Sequence, residues 1–139
     1  MSLAFPDVNV WLALAIEHIH QEPALRWWRE EAGSIGFCRF TQLGFLRLLT
    51  TDAVMAGKPL TMHRAWSAYD RLLNDERVEF VAEPSDIEPS LRRLSSGSTG
   101  SPKLWADAYL LAFAEQLGGA LITFDRALAR RGRHNVLLR

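Results

Sequence analysis

Three aspartates stand in apolar surroundings along this chain: Asp7 in LAFPDVNVWLALA, Asp107 in SPKLWADAYLLAFAEQLG and Asp125 in GALITFDRALARR. A carboxylate in such surroundings is costly to bury without a compensating charge. If the fold brings all three together, their repulsion calls for a hard cation with oxygen ligands, and Mg²⁺ or Mn²⁺ fits best. The chemistry such an ion serves is metal-dependent cleavage of phosphodiesters. Two further polar residues accompany the acids. Asn9 lies two residues after Asp7, and Thr123 lies two before Asp125, so strand geometry puts its hydroxyl on the same side as that carboxylate. Each acid also has a local reading. Asp7 and Asp125 can be helix N-caps, and Asp107 can be neutralised by a buried arginine, Arg39 or Arg47. Asp107 differs from the other two in lying inside a helix, with Leu104, Leu110 and Leu111 at neighbouring helical positions.

The elements that must position these residues alternate in type. SLAF reads as a first strand ending at Pro6-Asp7, followed by the helical pattern VNVWLALAIEHI. PALRWWREEAG is a second helix with proline near its start and glycine at its end. SIGFCRF is a second strand, after which Thr41 is expected to cap the helix QLGFLRLLT. MHRAWSAYDRLLND is amphipathic, and VEFV is a third strand. A short helix is expected over Ile87 to Leu94, a flexible loop over Ser95 to Ser101, and a helix from about Lys103 to Leu117 behind an Ser101-Pro102 cap. ALIT is a fourth strand, FDRALARRG a short basic helix, and NVLL a fifth edge strand. Strands separated by helices imply a three-layer α/β/α fold around a mainly parallel sheet of four to five strands, within one domain spanning 1–139. Ligands of such sheets bind beyond the carboxyl ends of the strands, where Asp7 and Asp125 fall.

The totals narrow the field. A length of 139 residues suits one domain, and 48% apolar content is ordinary for a globular chain. The sequence has neither a long apolar span nor a secretory leader pattern, so a cytoplasmic protein without membrane contact is expected. Cys38 is the only cysteine, which excludes an internal disulfide or a cysteine-based zinc site. Net charge is zero, and only Lys58 and Lys103 among the basic residues are lysines; arginine suits phosphates and partner carboxylates. Arg126, Arg130, Arg131, Arg133 and Arg139 form a basic C-terminal cluster able to hold RNA phosphates or simply to face solvent. Cys38 is expected in the core. His18 and His20 are expected on different sides of a helix. Trp27 and Trp28 cannot both face one way on a helix, so one of them can mark a protein interface.

Taken together, FPDVNVWLALA, TQLGFLRLLT, WADAYLLAFA and LITFDRAL resemble the PIN-domain ribonuclease toxins of bacterial VapBC-type toxin–antitoxin pairs, over nearly the whole chain. The resemblance implies acidic residues clustered around Mg²⁺ or Mn²⁺, with Asp7, Asp107 and Asp125 as catalytic metal ligands and Asn9 and Thr123 supporting them. It also implies endoribonuclease activity on structured RNA of the tRNA or rRNA class, a homodimer, and inhibition by a cognate VapB-type antitoxin. One position departs from the pattern. Many relatives carry a second acid in a motif such as EFLR, whereas this chain has GFLR with Gly44 there. One well-bound ion is therefore expected, and Gly44→Glu is expected to tighten Mn²⁺ binding. Two other readings stay open: a PIN-like module that binds antitoxin or RNA without turnover, and a phosphatase or dehalogenase with Asp7 as nucleophile.

Overall fold

The structure, a computed structural model, describes residues 2–97 and 99–139. Five short segments form a single parallel sheet: Leu3–Pro6 (β1), Ser34–Phe37 (β2), Val78–Phe80 (β3), Ala120–Thr123 (β4) and Val136–Leu137 (β5). Their order is β3-β2-β1-β4-β5. Every neighbouring pair is parallel, including Ala4 opposite Ile35 and Phe5 opposite Leu121. This meets the expected α/β sheet in strand number and direction.

Parallel strands need crossovers, and helices supply them. Val8–Ala15 (α1), Gln21–Glu30 (α2), Arg39–Leu49 (α3) and Met62–Leu73 (α4) lie between β1 and β3, while Ile87–Leu94 (α5) and Pro102–Gln116 (α6) connect β3 to β4. Arg126–Ala129 (α7) precedes β5. Successive strand residues point to opposite faces, which divides the core. Ile35 and Phe37 pack with Trp11, Phe45, Leu49 and Tyr69 of α1, α3 and α4. Phe5 and Leu121 pack with Leu110, Leu111 and Phe113 of α6 and Ile87 of α5.

Several boundaries differ from the sequence expectation. α1 stops at Ala15 rather than near Ile19, because Ile16 turns extended and Gln21 Nε2 donates to the Ile16 carbonyl at 2.8 Å. Pro23 is the third residue of α2, not the first. Cys38, not Thr41, is the N-cap of α3; the Thr41 hydroxyl reaches back and accepts from the Cys38 N–H at 3.0 Å. Trp27 and Trp28 are both half-buried. Trp28 meets Trp11 edge-on and lies under the Arg77 guanidinium at 4.5 Å. Cys38 is buried as expected. The residues of the Ser95–Ser101 loop that are described carry no helix or strand, and Ser98 lies outside the described residues. No helix among the described residues is long and apolar enough to cross a membrane.

Candidate active site

β1 lies between β2 and β4, so the chain leaves it in opposite directions on its two sides. The crevice at such a reversal, beyond the carboxyl ends of the strands, is where open α/β sheets bind ligands. An open cleft of about 1050 Å³ lies there, and its lining includes Asp7, Asn9, Asp107 and Asp125. The three sequence-selected acids thus share one cavity.

Asp7 is fixed first by the sheet: its N–H donates to the Ile122 carbonyl at 2.9 Å, prolonging the β1–β4 pairing by one residue. Its Oδ1 accepts from the Val10 N–H at 3.0 Å and so caps α1. Its Oδ2 accepts from the Thr123 hydroxyl at 2.5 Å. Asp7 therefore serves as the N-cap of α1, its local reading, and also lines the cleft.

Thr123 is fully buried. A hydroxyl has a single proton to give; this one goes to Asp7, and the oxygen accepts from the Asp125 N–H at 2.9 Å. Thr123 thereby ties the end of β1 to the start of α7. Asp125 caps α7 through Oδ1, which accepts from the Leu128 N–H at 3.1 Å. Its Oδ2 points into the cleft and receives Lys103 Nζ at 2.6 Å.

Asp107 arrives from the other side of the sheet. α6 buries Ala108, Leu110, Leu111 and Ala112, while Asp107 and its neighbour Ala106 border the cleft. The anticipated arginine partner is not used. Arg39 donates to Gln42 Oε1 at 2.5 Å and lies over the Phe80 ring, and Arg47 borders the cleft without an ion pair among the described residues. Asn9 is exposed on the cleft wall.

The electrostatics follow from burial and charge. Desolvation pushes the Asp7 carboxyl above its ordinary range, against the hydrogen bonds from Thr123 and Val10, and Asp125 adds repulsion. Desolvation also raises Asp107, with Lys103 and Arg131 pulling it down and Asp125 pushing it up. Asp125 is lowered, chiefly by its bond to Lys103. Lys103 is raised by Asp125 first and then by Asp107 and Asp7, so all three acids act on its ammonium. The donor set is all hard oxygen and short of positive charge, which fits a hard divalent cation. Among the described residues no three acidic, histidine or cysteine side chains close into a ready-made cage. An ion at these acids would therefore complete its coordination with water, as Mg²⁺ commonly does.

Lys103 is the residue that sequence reasoning passed over. Its signal was present: it precedes Asp107 by four residues, one helical turn on the same face. The aromatic wall was missed as well. Past the end of α1, His18 and His20 lie off the helix and gather around Phe124, with ring centroids 6.3 and 4.6 Å from it, instead of facing apart. Phe40 and Leu43 of α3 complete an exposed apolar rim.

Gly44 faces the same cleft beside Val8. A Cβ at position 44 would fall 2.7 Å from Val8 Cγ2, too close for an unshifted neighbour. Val8 thus occupies the approach that a longer side chain at 44 would need.

The PIN domain family model matches residues 4–133. The chain belongs to the PIN-domain family. Ribonuclease VapC41 of Mycobacterium tuberculosis is 41% identical over 133 residues, with 91% of each chain covered. Ribonuclease VapC44 of the same organism is 33% identical over 129 residues, covering 91% of this chain and 88% of the relative. These identities put the chain in the VapC branch of the PIN-domain family. Among solved structures, M. tuberculosis VapC20, described as a Sarcin-Ricin loop cleaving toxin, superimposes with a TM-score of 0.70 over 98% of this chain and 99% of its own, at 18% identity. VapBC2 from Rickettsia felis, solved on a fragment of promoter DNA, gives 0.61 at 13% identity over 97% of this chain and 96% of that one. At such identities the two structures speak for the PIN fold alone.

Proposed function

We propose that this VapC-type PIN domain is the endoribonuclease toxin of a type II toxin–antitoxin pair and works with Mg²⁺ or Mn²⁺ at Asp7, Asp107 and Asp125. The observation that carries the reading is the convergence of these three carboxylates, two from strand ends and one from a helix face, in a single cleft at the reversal of the sheet. Family membership supports ribonuclease chemistry, since the similar mycobacterial proteins bear that name. A cation held there would activate water and offset the charge developing on phosphorus during in-line displacement.

The chain's own residues divide the remaining work. Asp7 and Asp125 each spend one oxygen on a helix cap, and that fixes the direction of the other. Thr123 holds the two acids in register and Asn9 orients ligands or water from the cleft wall. The His18, His20 and Phe124 wall offers flat surfaces on which an unstacked base beside the cleavage point can lie. The substrate is structured RNA of the tRNA or rRNA class, cut where its bases are splayed. A VapB-type antitoxin restrains the enzyme. The functional unit is residues 1–139 acting as one domain in the cytoplasm, and a homodimer is supported by the exposed Met62 and Trp66 on α4.

Purified protein incubated with total RNA and with tRNA, in Mg²⁺, Mn²⁺ or EDTA, tests this reading beside Asp7→Asn and Asp107→Asn. Discrete fragments that need the metal and vanish in both variants are expected. Intact RNA from folded, antitoxin-free protein would sink it. The alternative of a non-cleaving binding module draws its support from Gly44, whose place against Val8 leaves the site one carboxylate short; antitoxin binding without any cleavage would favour it.

A further inference from the structure

Lys103 sits where its charge is least welcome to its own helix. It is the second residue of α6, next to the positive end of the helix dipole, where cations are disfavoured. Its side chain is 68% exposed and free to turn to water, yet its ammonium lies 2.6 Å from Asp125 Oδ2. That oxygen is the one Asp125 has left over, because Oδ1 caps α7. Lys103 and Asp107 occupy the same face of α6, one turn apart, and both border the cleft with Asp7. Lys103 and Arg47 are its two cationic lining residues, against three aspartates. The fourth carboxylate that many relatives carry is missing, and Val8 fills the approach to its position. A site poorer by one acid holds fewer cations, and here an ammonium already stands among the acids.

We propose that Lys103 is the phosphate-contact residue of this cleft and acts as an exchangeable cation. In the free protein it neutralises Asp125. With a divalent ion bound at the acids, Asp125 would no longer need the lysine for neutralisation, and the Lys103 ammonium would be free to reach a nearby RNA phosphodiester on its four-carbon stem. This rests on the nuclease reading and deepens it. Metal and lysine would compete before substrate binds and act on the same phosphate afterwards, so Lys103 should weaken cation binding and strengthen RNA binding.

The test uses the full chain as wild type, Lys103→Met and Lys103→Arg. Calorimetric Mn²⁺ titration without RNA should show Lys103→Met binding the ion about two- to fivefold tighter, the range that losing one exposed charge partner allows. Steady-state cleavage of a labelled RNA stem-loop should show a raised KM for Lys103→Met. The slope of log kcat/KM against log salt should also flatten by about 0.7, the loss of one phosphate contact to a single strand. Lys103→Arg should restore both. Mn²⁺ affinity equal to wild type in Lys103→Met, or an unchanged salt slope, would overturn the inference while leaving the nuclease reading intact. A wild-type protein that binds no Mn²⁺ and cuts no RNA would bring down the nuclease reading itself, and the inference with it.

Discussion

The contact between Gly44 and Val8 makes a quantitative prediction. An ordinary helix interior gains about 1 kcal/mol when glycine becomes alanine, because alanine lowers the backbone entropy cost. Gly44 lies inside α3, but its added Cβ would stand 2.7 Å from Val8 Cγ2 and 3.3 Å from Val8 Cγ1. Valine cannot simply swing away, since its branched Cβ in α1 leaves one strongly favoured rotamer. Overpacking of this kind costs about 1–3 kcal/mol. Gly44→Ala should therefore range from neutral to destabilising by about 2 kcal/mol once the propensity gain is subtracted. Val8→Ala opens the space, and in that background Gly44→Ala should recover its gain of about 1 kcal/mol. The coupling between the two positions should thus be about 1–3 kcal/mol, read from urea midpoints of the four proteins in a double-mutant cycle. Strictly additive effects would refute the steric argument. The same logic carries to the proposed cation site: Gly44→Glu should tighten Mn²⁺ binding more in the Val8→Ala background than alone.

Three further perturbations follow from the site and its frame. Asp7→Asn keeps a good N-cap and removes an ionisation that burial disfavours. Because burial raises the folded-state pKa of Asp7, protonated Asp7 contributes stability at low pH that is lost as pH rises through that value. The variant should exceed wild type in urea midpoint at pH 7, with the difference shrinking toward pH 4; a constant difference would argue against the assigned cause. Thr123→Val leaves Asp7 Oδ2 and the Asp125 N–H without their partner, and should cost about 1–3 kcal/mol in denaturation while Thr123→Ser costs less. Arg77 donates to the Trp28 and Glu31 carbonyls at 2.6 Å each and pairs with Asp75. Arg77→Ala should lose about 2–3 kcal/mol by thermal or urea unfolding, as expected for charge-assisted bonds closing a helix end.

Much of this architecture could be read in the sequence because its elements carry local signals. Apolar quartets such as ALIT between helical patterns identify parallel strands buried on both faces, and α5 runs from Ile87 to Leu94 as its pattern predicts. Asp7 and Asp125 were legible because a polar residue directly after an apolar strand is conspicuous. Boundaries set by distant contacts were not. α1 ends without glycine or proline, where Gln21 takes the Ile16 carbonyl. Thr41 looks like a cap by type but serves the preceding Cys38 from inside the helix. The arginine partner foreseen for Asp107 failed because Arg39 finds Gln42 on its own helix and Phe80 on β3. Lys103 escaped because periodicity fixes the side of a helix on which a residue lies, not which of several acids a long flexible side chain will reach.

The bond from Thr123 to Asp7 joins residues separated by 116 positions. In vectorial synthesis Asp7 is made 116 residues before Thr123, and Asp125 follows later still. Until then β1 lacks its β4 neighbour, Asp7 lacks its hydroxyl donor, and Asp125 does not yet exist to complete the acidic set. The tie from Thr123 to both acids is therefore absent until β4 and the start of α7 have been made. The order of the strands thus sets when the cleft can assemble: β1 waits for β4, its neighbour in the sheet but not in the sequence.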